Sequence, residues 1–136
     1  MFDLKYHLVW TTKYKKPVLA GRLGVRTRNL IREICDSLNV QIIRGHVSKD
    51  HVHIFISMPP QISISKLAQY LKGKTSRKLL IEYPELNKKF WGKHFWCRGY
   101  FATTSGAITD ETIMKYIEEQ DDDSDKGGDD FTMLDM

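Results

Sequence analysis

The chain has 136 residues, 41% hydrophobic and 28% charged, which is one domain's worth of a soluble globular protein with enough apolar residues for an ordinary core. No apolar run approaches the roughly 20 residues of a membrane-crossing helix, and "MFDLKYHLVW" opens with mixed charge rather than as a signal peptide, so no membrane partner and a cytoplasmic location are expected. The formal charge of +4 hides an asymmetry: residues 121–136, "DDDSDKGGDDFTMLDM", hold seven Asp and one Lys, and setting aside their −6 leaves +10 on residues 1–120.

A body that basic favours a polyanion as partner. The acidic end is biased and poor in apolar residues, so residues 1–120 are expected to form the folded domain and residues 121–136 a disordered tail. Cys35 and Cys97 lie far apart with no metal-ligand spacing around either, and read as reduced, buried thiols.

"LKYHLVWT" (4–11) alternates Leu4, Tyr6, Leu8 and Trp10 against Lys5, His7, Val9 and Thr11, a strand signal. "KYKKPVLAG" is a basic loop. From Arg22 to about Leu38, Leu23, Leu30, Ile31, Ile34 and Leu38 share one helical face, with Arg22, Arg26, Arg28 and Arg32 on the remainder. "VQIIRGHVS" (40–48) reads as a second strand. Lys49-Asp50 turns it directly into "HVHIFIS" (51–57), a connection short enough to require an antiparallel hairpin.

"MPPQIS" breaks the chain, with Ser63 or Ser65 as the cap of a second helix reaching about Ile81. Ile64, Leu67, Ala68, Leu71, Thr75 and Leu79 point inward, and Lys72, Lys74, Arg77 and Lys78 lie along the exposed side. Gly73 in mid-helix costs about 1 kcal/mol relative to Ala and suggests a close approach by another backbone. "FWCRGYFATT" (95–104) reads as a fourth strand with Gly99 as a bulge or contact point. After "SGA", Thr109 caps a last helix through "ITDETIMKYIEEQ", with Asp110 and Glu111 in its first turn. The order predicts an α+β fold, a ferredoxin-like or RRM-like βαββαβ sandwich with a four-stranded antiparallel sheet, followed by a C-terminal helix.

The histidine strand carries the chemistry. Val52, Ile54 and Ile56 suit the helix-covered side of the sheet, which sends His51 and His53 together to the opposite, open side. Imidazoles at i and i+2 of a strand can ligate one metal ion. On the last helix Tyr116 and Gln120 are neighbours at i and i+4, while Ile113, Met114 and Ile117 supply a separate apolar face for docking.

"DHVHIFIS" resembles the histidine-hydrophobic-histidine motif of the HUH endonucleases, and "KYIEEQ" resembles their single-tyrosine helix. "YHLVWTTKYKKPVL" and "FWCRGYFATTSG" are similar to one branch, the HUH single-tyrosine transposases of the insertion-sequence 200/605 group, and the four segments run in order from about Leu4 to Gln120. The resemblance implies that His51, His53 and Gln120 ligate a divalent metal, Mg²⁺ or Mn²⁺, and that Tyr116 is the catalytic nucleophile. A phenol with an ordinary pKa of about 10 is protonated at neutral pH and needs a positive field or a base before it attacks. The resemblance further implies cleavage and rejoining of single-stranded DNA at subterminal hairpins through a 5′-phosphotyrosine, by a homodimer that composes its active sites in trans.

Lys13, Lys15, Lys16, Arg44, Lys74, Arg77, Lys78 and Arg98 are candidate DNA-phosphate contacts, and Trp10, Tyr14 or Trp96 could stack on unpaired bases. Two other readings compete. A non-catalytic RRM-like module would carry aromatics on the open face where this chain carries histidines. A metal-dependent hydrolase would use water and leave Tyr116 a bystander.

Overall fold

The alternating segments pair as strands and the amphipathic segments close over one side of them. The computed structural model describes residues 4–88 and 94–104, and the backbone of residues 129–131. Along the chain run β1 (Leu4–Thr11), α1 (Arg22–Ser37), β2 (Gln41–Val47), β3 (His51–Met58), α2 (Ile64–Glu82), β4 (Phe101–Thr104) and β5 (Asp129–Phe131), with 3-10 turns at Lys13–Lys15 and Pro84–Lys88. The sheet order is β4-β1-β3-β2-β5, antiparallel throughout. The first four of these strands and the two helices form the expected βαββαβ sandwich. The helix expected from Thr109 lies outside the described residues.

The core fills the helix side of the sheet. Leu8 and Trp10 of β1 and Val52, Ile54 and Ile56 of β3 are buried against Leu30, Ile31 and Ile34 of α1 and Leu67, Leu71 and Leu79 of α2. Gly24 is required where α1 starts, because a Cβ there would collide with the carbonyl of Leu19. The helix ends at Asn39 in the left-handed region (φ 59°), with Val40 N–H donating to Cys35 O at 2.8 Å. Of the two cap candidates for α2, Ser63 is the cap: its hydroxyl accepts from Lys66 N–H at 3.1 Å. Arg26 joins the helices through a two-pronged bond to Glu82, at 2.8 and 2.9 Å.

Two bulges shape the sheet. Ile42 lies opposite Ile56 but Arg44 lies opposite Phe55, so Ile43 is an extra residue in β2. Regular alternation would have put Arg44 and His46 on the same face as Ile42, towards the core. The bulge moves both to the opposite face, beside Phe55 and His53. On the other edge, Thr12 pairs with Trp96 and Val9 with Phe101. Three steps along β1 are therefore matched by five on its neighbour, and the two surplus residues are accommodated around Gly99, whose φ is +84°. The strand expected over 95–104 is regular only at 101–104: Trp96 makes an isolated bridge to Thr12, and the positive φ of Gly99 interrupts the run between them.

Three further expectations change. Among the described residues nothing lies within 4 Å of a Cβ built at Gly73, so no backbone approaches there. Cys35 is buried, its thiol pushed up to about 12 by desolvation, but Cys97 is only half-buried and donates its S–H to Thr12 O at 3.2 Å. Residues 129–131 of the acidic end, expected to be disordered, pair with β2. The exposed edge of β2 offers unpaired N–H and C=O groups that a short extended segment can satisfy even without a hydrophobic pattern of its own.

Candidate active site

On the face away from the core, β1 presents His7 and Val9, β3 presents His51, His53 and Phe55, and the bulged β2 presents Arg44 and His46. Four of the five histidines of the chain thus collect on one side of three adjacent strands. His53 is at the centre, directly opposite Val9 on one side and His46 on the other.

The expectation of an open face is corrected at its middle. His53 is 0% exposed, and His7 and His46 beside it are also buried. The His7 ring stacks on Phe55 (centroids 4.4 Å apart, planes within 10°), and its Nδ1 lies 3.0 Å from Nε2 of His53. Desolvation, with smaller contributions from His7, His46, His51 and Arg44, lowers the pKa of His53 to about 3, so the ring is neutral. Its other nitrogen, Nδ1, is buried without a hydrogen-bonding partner. In the tautomer in which Nε2–H of His53 donates to His7, Nδ1 keeps a lone pair that a cation can satisfy.

His51 is oriented by a different neighbour. Its Nδ1 lies 2.9 Å from Asp50 Oδ1. A carboxylate only accepts, so Nδ1–H donates and Nε2 is the nitrogen that would face a metal. The expected ligands His51 and His53 therefore have the donor chemistry of a divalent-metal site, each fixed by one outer group. Among the described residues no third His, Cys, Asp or Glu completes a cluster with them. The expected third ligand Gln120 and the expected nucleophile Tyr116 lie outside the described residues.

The expected DNA contacts fall into separate places. Arg44 belongs to the histidine face. Lys13 and Arg98 line a pocket of about 520 Å³ together with Tyr14 and Lys72, while Lys15 and Lys16 continue the turn beside it. Lys74, Arg77 and Lys78 are on α2. Lys72, expected to be exposed, is half-buried: its ammonium donates to Cys97 O at 2.6 Å and Gly99 O at 2.7 Å, and desolvation lowers its pKa. Of the three stacking candidates, Trp10 and Trp96 are core residues packed edge-to-face at 5.8 Å, whereas Tyr14 is 64% exposed.

Sequence reading passed over His7, His46 and Asp50. His7 was visible as a histidine on the same row as Val9 and Thr11, but only the β1–β3 register brings it to His53.

A ferredoxin-like sandwich with a histidine-hydrophobic-histidine pair on its central strand is the architecture of the HUH class of transposases. The chain belongs to the IS200-like transposase family, whose model, described as "Transposase IS200 like", matches residues 1–120. It is 35% identical over 122 residues to the ISDra2 transposase TnpA of Deinococcus radiodurans, a match covering 90% of this chain and 87% of that protein. It is 34% identical over 119 residues to the transposase for insertion sequence element IS200 of Salmonella typhimurium, covering 88% of this chain and 78% of that protein.

Among solved structures it superposes on a transposase from Deinococcus radiodurans R1 with a TM-score of 0.74 and 30% identity, covering 89% of this chain and 93% of the other. A REP-associated tyrosine transposase bound to a REP hairpin shares the fold, with a TM-score of 0.62 at 11% identity over 84% of this chain and 63% of that one. Membership of a transposase family makes this a DNA-cleaving and DNA-transferring enzyme. No helix among the described residues is long and apolar enough to cross a membrane.

Proposed function

We propose that the protein cleaves and rejoins single-stranded DNA at insertion-sequence ends through a covalent 5′-phosphotyrosine. The observation that carries the reading is the pair of imidazoles on one face of β3, His51 with Nδ1 against Asp50 and neutral His53 with Nε2 against His7 and its buried Nδ1 unpartnered. His51, His53 and Gln120 would hold the divalent metal, Mg²⁺ or Mn²⁺. When bound, it polarises a non-bridging oxygen of the scissile phosphate.

The oxygen of Tyr116 attacks the phosphorus as its proton leaves, the bond to the 3′ oxygen breaks, and that oxygen takes up a proton to become a free 3′-OH. The phosphotyrosine bond retains the energy of the phosphodiester, so a 3′-OH can reverse the step without ATP. Arg44, beside Phe55 on the same face, brings a positive charge to the side of the histidines where a phosphate would sit. The DNA would be a strand with a subterminal hairpin, in keeping with the hairpin-bound structure of the distant REP-associated relative. The enzyme would act as a homodimer in which the tyrosine helix of one subunit serves the histidines of the other.

Incubation of end-labelled hairpin DNA with the protein and Mg²⁺, followed by denaturing electrophoresis, tests this. A labelled band at the mass of protein plus DNA is expected, abolished by chelation. Cleavage with no covalent band would assign the chemistry to water instead.

A further inference from the structure

Gly73 is a residue that α2 would replace if stability alone decided, yet no packing need for it exists. It sits in the interior of a 19-residue helix, and a Cβ there would meet nothing within 4 Å among the described residues. It lines two pockets at once. One, of about 520 Å³, is shared with Lys13, Tyr14 and Arg98, and the other, of about 430 Å³, with Tyr70, Lys74 and Arg77. The second set recurs at Lys66, Tyr70, Gly73, Lys74 and Arg77, a single outer stripe of α2. No Asp or Glu is among the described residues lining either pocket.

Each pocket also has an aromatic ring at its side. Tyr14 is 64% exposed and held on a backbone with φ 60°, a conformation that L side chains rarely adopt and that turns its ring outward between Lys13 and Lys16. Tyr70 is 36% exposed, with Lys74 Nζ 5.1 Å from its ring centre.

We propose that Gly73 is the open floor of one continuous groove that takes an unpaired segment of DNA, its phosphates among the lysines and arginines and its bases on Tyr14 and Tyr70. The proposal rests on the reading of the protein as a single-strand DNA enzyme, and locates a binding surface apart from the histidine face. An unpaired strand fits better than duplex because flat rings presented between cations stack on exposed base faces, which a duplex hides. A side chain at position 73 would project into the groove without disturbing the core.

The test uses metal-free protein and fluorescence anisotropy of a labelled oligo(dT) strand. Gly73→Met, which keeps every cation and introduces a good helix former, should melt no lower than the unchanged protein and bind the strand about tenfold more weakly or worse. Its salt dependence should be unaltered, whereas Arg77→Gln should weaken binding and reduce the salt slope by about one. Should Gly73→Met fold poorly, Tyr70→Ala reports on the same groove. Unchanged oligo(dT) affinity in a folded Gly73→Met or in Tyr70→Ala overturns the groove, and equal weakening for duplex of the same length overturns the choice of single strand. A covalent adduct on hairpin DNA from the unchanged protein, alongside unchanged oligo(dT) affinity in the variants, sinks the groove alone. Loss of oligo(dT) binding in Gly73→Met without any adduct from the unchanged protein supports the groove and sinks the phosphotyrosine reading.

Discussion

Nδ1 of His7 lies 3.0 Å from Nε2 of His53, a contact between β1 and β3 across 46 residues of sequence. With Nε2–H of His53 as the donor, its Nδ1 keeps the lone pair that the proposed metal needs, so His7 would orient that ligand without touching the metal. Replacing His7 by Phe keeps the flat contact with Phe55 but removes the acceptor. We expect Mn²⁺ affinity to fall by about 10- to 100-fold, read by calorimetric titration. His7→Asn retains an acceptor oxygen and should recover part of the loss. Equal affinity in the Phe variant would show that His53 is oriented by something else.

The same burial makes the metal-free protein acid-sensitive. The pKa of His53 is lowered from 6.5 in the unfolded chain to about 3 in the fold. Above pH 6.5 the ring is neutral in both states and costs nothing. Between 6.5 and 3 the unfolded chain binds a proton that the folded one refuses, so stability falls as pH falls, by about 1.4 kcal/mol per unit. Urea midpoints in the presence of a chelator should therefore drop between pH 7 and 5, a window in which ordinary carboxylates stay ionised. His53→Gln should flatten this part of the profile. A variant as acid-sensitive as the unchanged protein would contradict the cause.

The sandwich was legible because it rests on periodicity. Alternation in 4–11 and 51–57 and the apolar faces of α1 and α2 fix which sides are buried, and the two-residue turn fixes the hairpin. What escaped was whatever breaks a period or crosses strands. His46 reaches the histidine face only because Ile43 bulges, and a bulge is a departure from the very alternation used to assign faces. His7 meets His53 through a register that depends on strand order, which no local pattern encodes. Gly73 stood out as a helix-interior glycine, but the backbone contact expected there is not made among the described residues. Trp10 and Trp96 were read as possible platforms and are core: they pack edge-to-face on each other, Phe95 packs edge-to-face on Trp96, and Trp96 donates its indole N–H to Thr75 Oγ1 at 2.8 Å.

Tyr116→Phe removes one oxygen and nothing else. It should retain hairpin binding and lose the covalent band entirely, because a benzene ring offers no nucleophile. Denaturing electrophoresis beside a band-shift assay separates the two effects. An adduct of undiminished yield would place the nucleophile elsewhere.

The final prediction concerns the subunit that supplies the tyrosine. "SGA" (105–107) separates β4 from the tyrosine segment in the sequence, and the local pattern does not choose between docking on the chain's own sheet and on a neighbour's. Family resemblance favours the neighbour. Tyr116→Phe and His51→Ala, each inactive alone, should then regain cleavage when mixed and allowed to exchange subunits. In a heterodimer working in trans, one composite site carries both lesions and the other carries neither. Half of randomly exchanged dimers are heterodimers, so activity should return to about a quarter of the unmutated level. If the tyrosine serves its own sheet, every heterodimer site keeps one lesion and no activity returns. Size-tagged subunits verify exchange in the same sample, so an inactive, exchanged mixture refutes the trans arrangement while leaving the roles of His51, His53, Gln120 and Tyr116 untouched.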